Sequence, residues 1–136
     1  MKRKLILTVS VLFFLGVSVY GQVYKYRAKE CAIKTKDSYN RWTDWSDWQT
    51  CDILTVINFD KSKVTIYSKE TQEFDVVETY PKEYNDKGEV VFKLFVIDRN
   101  GLRCNIRQVF VKSNTYHSQL YIDYSDVMYV YNLVSN

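Results

Sequence analysis

Proline and histidine occur once each in this chain of 136 residues, and glycine only four times. With Pro81 as the sole proline and so little glycine, no segment reads as an interdomain linker or a low-complexity tract. His117 being the only histidine excludes a zinc site built on several imidazoles, and none of the cysteine spacings that hold zinc is present. Neither a Gly-rich phosphate loop nor a Gly-x-Ser-x-Gly elbow occurs. A Cys–His nucleophilic pair would have to join His117 to an accessible thiol. Cys104 falls in phase with apolar residues, however, and Cys31 has no activating neighbour. Tyr116-His117-Ser118 reads more simply as a polar loop ahead of a strand. The acidic residues are scattered, and a pair such as Asp75 and Glu78 fits a solvated strand face better than a glycosidase site. The residues therefore point away from an enzyme and imply no metal and no cofactor.

Net charge is also missing once the N-terminus is set aside. Lys2, Arg3 and Lys4 precede an apolar run at residues 5–15, and Gly16 to Gly21 bring small residues toward a cleavage point, the layout of a signal peptide over residues 1–21. The apolar run is shorter than the roughly 20 residues that span a bilayer, and no second one follows, so no transmembrane segment is expected after cleavage. Those three bases account for the whole formal charge of +3, leaving 16 basic and 16 acidic residues, since the chain holds 19 Lys and Arg against 16 Asp and Glu. A neutral domain lacks the cationic surface that nucleic-acid binding rests on. The expected product is exported, to the periplasm or the extracellular space, as a single β-rich domain over residues 22–136.

What is abundant is aromatic: 12 Tyr, 7 Phe and 3 Trp. Aromatic residues favour strands, and Tyr packs its ring while keeping its hydroxyl wet. From residue 51 the pattern has period two with regular turn signals. Cys51, Ile53, Ile57 and Phe59 share a face, then Asp60, Lys61 and Ser62 turn the chain into Val64 and Ile66. Phe74 and Val76 mark a third strand. Residues 81–88 read as a loop, and residues 89–98 as a long strand apolar on both faces. Asn100-Gly101 between apolar runs is the signal of a tight hairpin with positive backbone angles. Leu102, Cys104, Ile106 and Phe110 then alternate with Arg103, Asn105 and Arg107. Residues 119–124 and 127–134 give two closing strands and residues 23–28 an opening one. The prediction is all-β: one small antiparallel meander of about eight strands, forming a barrel or sandwich.

Trp42, Trp45 and Trp48 stand three apart in the stretch Trp42-Thr43-Asp44-Trp45-Ser46-Asp47-Trp48. In a polyproline-like conformation all three rings would line one side, and such a ladder stacks on sugar rings or cationic groups. The alternative is that the rings close a barrel end or cover a sheet face. Over these ten residues to Cys51 the string resembles the start of a thrombospondin type 1 repeat and the Trp-Ser-x-Trp-Ser box of cytokine receptors. The chain departs from both directly afterwards, where residues 52–59 run into an apolar strand, so no function is carried over. In layout the whole is similar to lipocalin- or calycin-like barrels, without their Gly-x-Trp, and it resembles the small exported proteins common in gut Bacteroidota.

Three cysteines allow at most one internal bridge. Cys51 and Cys104 are both in phase with inward apolar residues, which favours their pairing. Cys31 with Cys51 is the competing pair and would bracket the tryptophans, and unpaired buried thiols are the third arrangement. The functional expectation is binding without catalysis. An eight-stranded barrel has room for one small apolar or aromatic-compatible ligand. Alternatively, surface aromatics serve a protein-interaction module of periplasmic inhibitor or immunity type, with Trp42, Trp45, Trp48, Tyr121, Tyr124, Tyr129 and Tyr131 as anchors.

Overall fold

Alternating apolar residues build nine strands in this computed structural model, which describes residues 22–112 and 115–136; the signal segment expected at 1–21 lies outside the described residues. They are β1 (Val23–Thr35), β2 (Gln49–Asn58), β3 (Lys63–Ile66), β4 (Gln72–Thr79), β5 (Glu83–Tyr84), β6 (Val90–Asp98), β7 (Arg103–Phe110), β8 (Ser118–Asp123) and β9 (Val127–Ser135). Every pairing is antiparallel, and the order is β4-β3-β2-β1-β9-β8-β7-β6, closed on itself by pairing of β4 with β6. Eight strands thus form a barrel, and β5 adds a short rung beside Val90 and Val91 of β6. Closure removes the unpaired edges that an open sheet of this size would expose. No helix occurs among the described residues.

Strand β5 occupies part of the stretch at 81–88 read as a loop, and two further features differ from the pattern for identifiable reasons. The first strand runs well past residue 28, because a bulge interrupts its period: Ala28 pairs with Leu133 but Glu30 with Asn132, leaving Lys29 over. Tyr26 and Ala28 face inward before the bulge and Cys31 after it, so a strict two-residue count loses the strand there. The second difference is the Asn100-Gly101 turn. Only Gly101 has a positive φ, of 81°, so the tight two-residue hairpin with two positive angles does not form. Instead Asp98 and Leu102 pair across a three-residue loop. The Asp98 carboxylate accepts the N–H groups of Asn100 and Leu102, both at 2.9 Å, holding the turn in this wider form.

The middle of the barrel is plugged. Val64, Ile66, Phe74, Val96, Ile106, Leu120, Ile122 and Leu133 are essentially fully buried and come from six different strands. Each apolar side chain of this kind contributes about 1.5–3 kcal/mol by leaving water. Thr55 breaks the pattern: it is fully buried among them, and its hydroxyl has no hydrogen-bond partner.

Candidate functional site

Above this plug, at the end of the barrel where β1 begins and β7 ends, the side chains stop meeting across the bore. They leave an apolar cavity of about 310 Å³. Ile57, Leu94, Ile106 and Leu120 form its floor and walls, and Tyr24, Tyr26, Phe59, Phe92 and Phe110 stand around its rim. Strand parity puts them there: Phe92 and Leu94 alternate with Val91 and Lys93 along β6, and Ile106, Gln108 and Phe110 alternate along β7. Of the long strand, read as apolar on both faces, Phe92 and Leu94 line the cavity, while Val96 belongs to the plug.

The rim rings contact one another. Phe92 meets Phe110 edge-on at 5.6 Å between centroids, Phe110 meets His117 at 5.2 Å, and His117 leans on Tyr26 at 5.3 Å. Tyr24 and Phe59 make a separate edge contact at 6.0 Å. His117 is thus one member of an aromatic row, a packing role that the polar residues beside it in sequence conceal. Thr79, Lys93 and Gln108 are the polar residues of the lining, and Gln108 donates from Nε2 to the buried Ser118 hydroxyl at 3.0 Å. The His117 ring nitrogen Nδ1 lies 3.2 Å from the same hydroxyl. Rim residues Tyr24 and Phe92 are 45% and 42% exposed, so the cavity opens to solvent between them.

The tryptophan segment lies elsewhere, on the outside of the barrel. Residues 42–48 run along the end of β1 as an irregular strap whose repeat of three is matched to the strand's repeat of two. The N–H of Thr43 donates to the Thr35 carbonyl and that of Ser46 to the Ile33 carbonyl, each at 2.8 Å. In return, the Thr43 and Ser46 hydroxyls accept the N–H groups of Thr35 and Ile33, doing what a partner carbonyl would do in a regular ladder. Each Trp-Thr/Ser-Asp triplet therefore spans two residues of β1, or about 6.8 Å, shorter than the roughly 9 Å that three residues cover in a polyproline helix. This register seats Lys36 over Trp42 at 5.1 Å and Lys34 over Trp45 at 5.4 Å. Trp45 also meets Tyr121, and the Arg107 guanidinium caps Tyr121 at 4.3 Å. Trp42, Trp45 and Trp48 remain 38%, 37% and 46% exposed.

The C-terminal tyrosines do not join this surface as a group. Tyr121 faces out beside Trp45, but Tyr131 is buried, and Tyr124 and Tyr129 pack against the core from the opposite end of the barrel. There Tyr124 donates to Asp98 at 2.7 Å and the Tyr131 hydroxyl accepts from Gln72 at 3.2 Å. Burial, together with Asp98, raises Tyr124 far above the ordinary phenol range. Parity separates them: Tyr129 and Tyr131 share the inward face of β9, whereas Tyr121 alternates with the buried Leu120 and Ile122 on β8, and Tyr124 follows the end of that strand.

All three cysteines are free thiols. Cys51 and Cys104 both point inward as expected, but β2 and β7 are four strands apart in either direction round an eight-stranded barrel, so they face each other across the bore. The pairing of Cys51 with Cys104 is absent for that reason. Burial pushes Cys104 up to about 12. Among the described residues no group of three or more His, Cys, Asp or Glu side chains converges to hold a metal ion. Set against family models, curated proteins and solved structures, the chain matches none.

Proposed function

We propose that this protein is an exported, non-catalytic binding module that takes one small apolar molecule into the open end of its barrel. The observation that carries the reading is the apolar cavity of about 310 Å³ rimmed by Tyr24, Tyr26, Phe59, Phe92 and Phe110. Its size lies at the lower end of small-molecule sites, and its mainly apolar and aromatic lining with a few polar side chains, Gln108, Thr79 and Lys93, is the mixture such sites use. At the ~30 Å³ that a water molecule occupies in the liquid, displacing its contents releases about ten waters from an apolar surface. A flat aromatic or short branched hydrocarbon skeleton suits the edge-on rings.

The test is titration with an uncharged, environment-sensitive naphthalene fluorophore. The wild-type protein should bind it saturably with one site per chain, and Leu94→Trp, which fills the floor, should weaken binding at least tenfold while far-UV circular dichroism is unchanged. Ile57→Trp from the facing wall serves as an independent second variant. Absence of saturable binding to the wild type, or equal binding by both folded variants, would sink the reading. Export is checked by N-terminal sequencing of the product from cells, which should begin at Gln22.

The exposure of all three tryptophans on the outer strap favours one second reading, a protein-interaction module of inhibitor or immunity type. The two readings separate cleanly, because Trp42→Ala and Trp45→Ala should leave fluorophore binding unaltered.

A further inference from the structure

The two cysteines at the base of the tryptophan strap face one another. Cys31 pairs with Gln49 across β1 and β2, which places Cys51 diagonally opposite it. In a regular antiparallel ladder diagonal neighbours stand about 7–8 Å apart, at or beyond the reach of a bridge, which needs Cα atoms within roughly 7 Å. Here the register shift between Ala28 and Glu30 sets Cys51 and Asp52 together against Lys29. The kink at this shift sets the two side chains beside one another on the inward face. Both side chains turn toward the core, both are half-buried, and the Cys51 thiol also lies 3.5 Å from the Ala28 carbonyl. Cys104 sits on the opposite wall beside Asp98 and Tyr124.

We infer that Cys31 and Cys51 form a dithiol–disulfide site whose oxidation covalently closes the strap carrying Trp42, Trp45 and Trp48. The oxidant is a small-molecule or protein disulfide. One cysteine thiolate attacks it, forming a mixed disulfide and expelling one thiolate. The second cysteine, losing its proton, then attacks the mixed disulfide and expels the other thiolate. Two thiols of the chain thus give up two electrons and two protons, and the oxidant becomes two thiols. The closed ring contains the whole segment held to β1 by the Thr43 and Ser46 hydroxyls, so oxidation covalently fixes the base of a structure otherwise held by hydrogen bonds and ring contacts. Burial and the adjacent Cys31 thiol push Cys51 up to about 12, so bridge formation accelerates as pH rises through the alkaline range.

The experiment exposes the folded full chain to oxidised glutathione, quenches with an alkylating agent and maps disulfide peptides by mass spectrometry. The expected product has lost two hydrogens, carries a Cys31–Cys51 bridge and keeps Cys104 alkylatable after unfolding. Cys104→Ser should give the same bridge. Cys31→Ser and Cys51→Ser should not bridge, and each should instead retain a glutathione adduct on the cysteine left behind. A bridge that includes Cys104, or three alkylatable thiols surviving oxidation of the folded wild type, would overturn the assignment. Because the readout is a covalent map, it stands whether or not the barrel cavity binds any ligand.

Discussion

The two ends of this barrel are held by different physics. At the cavity end, five aromatic residues crowd a rim, with Phe92 meeting Phe110 and Tyr24 meeting Phe59 edge-on, held by apolar burial and ring contacts. At the other end, Asp98 takes hydrogen bonds from two backbone N–H groups and the Tyr124 hydroxyl, and Glu73 bridges Arg99 and Lys63. That end is a polar, more open basin of about 720 Å³, floored by Phe74. Directional bonds fix tyrosines and loops in place, whereas ring-on-ring contacts leave a hole of adaptable shape. Stability should therefore depend on the plug and the polar end, and binding on the apolar one.

The strongest challenge to that division is Phe74→Ala. Phe74 is fully buried in the plug between the two ends, and its truncation should cost about 3–5 kcal/mol in urea denaturation. If the loss is below about 1 kcal/mol, the plug is not what holds the barrel shut. Next in size is Tyr124→Phe, which deletes the 2.7 Å bond to Asp98 and should cost about 1.5–3 kcal/mol, the range for hydrogen bonds to charged groups. Fluorophore binding at the far end should be unchanged in this variant. A loss of binding there would show the two ends to be coupled through the core.

A smaller effect of opposite sign is expected at Thr55. Its hydroxyl is buried with no partner, so Thr55→Val, which keeps the shape and removes the stranded polar atom, should stabilise the fold by about 1 kcal/mol. Thermal denaturation measures it, and an unchanged or lowered midpoint would mean that the hydroxyl is satisfied in solution.

Thr55 also shows how far the sequence carries. Period-two alternation made the barrel legible, because burying one face of every strand is what specifies register, and β3, β7 and β8 follow it closely, whereas β4 bulges between Val76 and Glu78 and β5 lies in the stretch read as a loop. Places where a residue departs from the period were not legible. The bulge at Lys29 hid the second half of β1 and with it the register that sets Cys31 diagonally to Cys51, a pair legible only as the competing one. The triplet strap was visible as a repeat, but its hydroxyl bonds to β1 depend on which strand lies alongside. The cavity was legible only in part. Phe92 and Leu94 lie on a strand expected to face inward, but Tyr24, Phe59 and Phe110 meet them only once the barrel has closed and its shear is set.

The smallest effect expected is electrostatic and is confined to acid. Hydrogen bonding and attraction from Lys63, then from Arg99, lower Glu73 from the usual carboxylate value of 4.5 to about 2. A carboxyl group whose folded value is depressed binds its proton more readily in the unfolded chain, so its contribution is fully present above about 4.5 and fades as pH falls toward about 2. The three groups lie at the surface within reach of solvent, which keeps that contribution small and sensitive to salt. The difference in denaturation midpoint between wild type and Glu73→Gln should therefore be present at neutral pH, shrink between about 4.5 and 2, and vanish below that window. A difference that persists at the acid limit would assign Glu73 a role in packing rather than in charge, and the polar end would then resemble the apolar one more closely than its ion pairs imply.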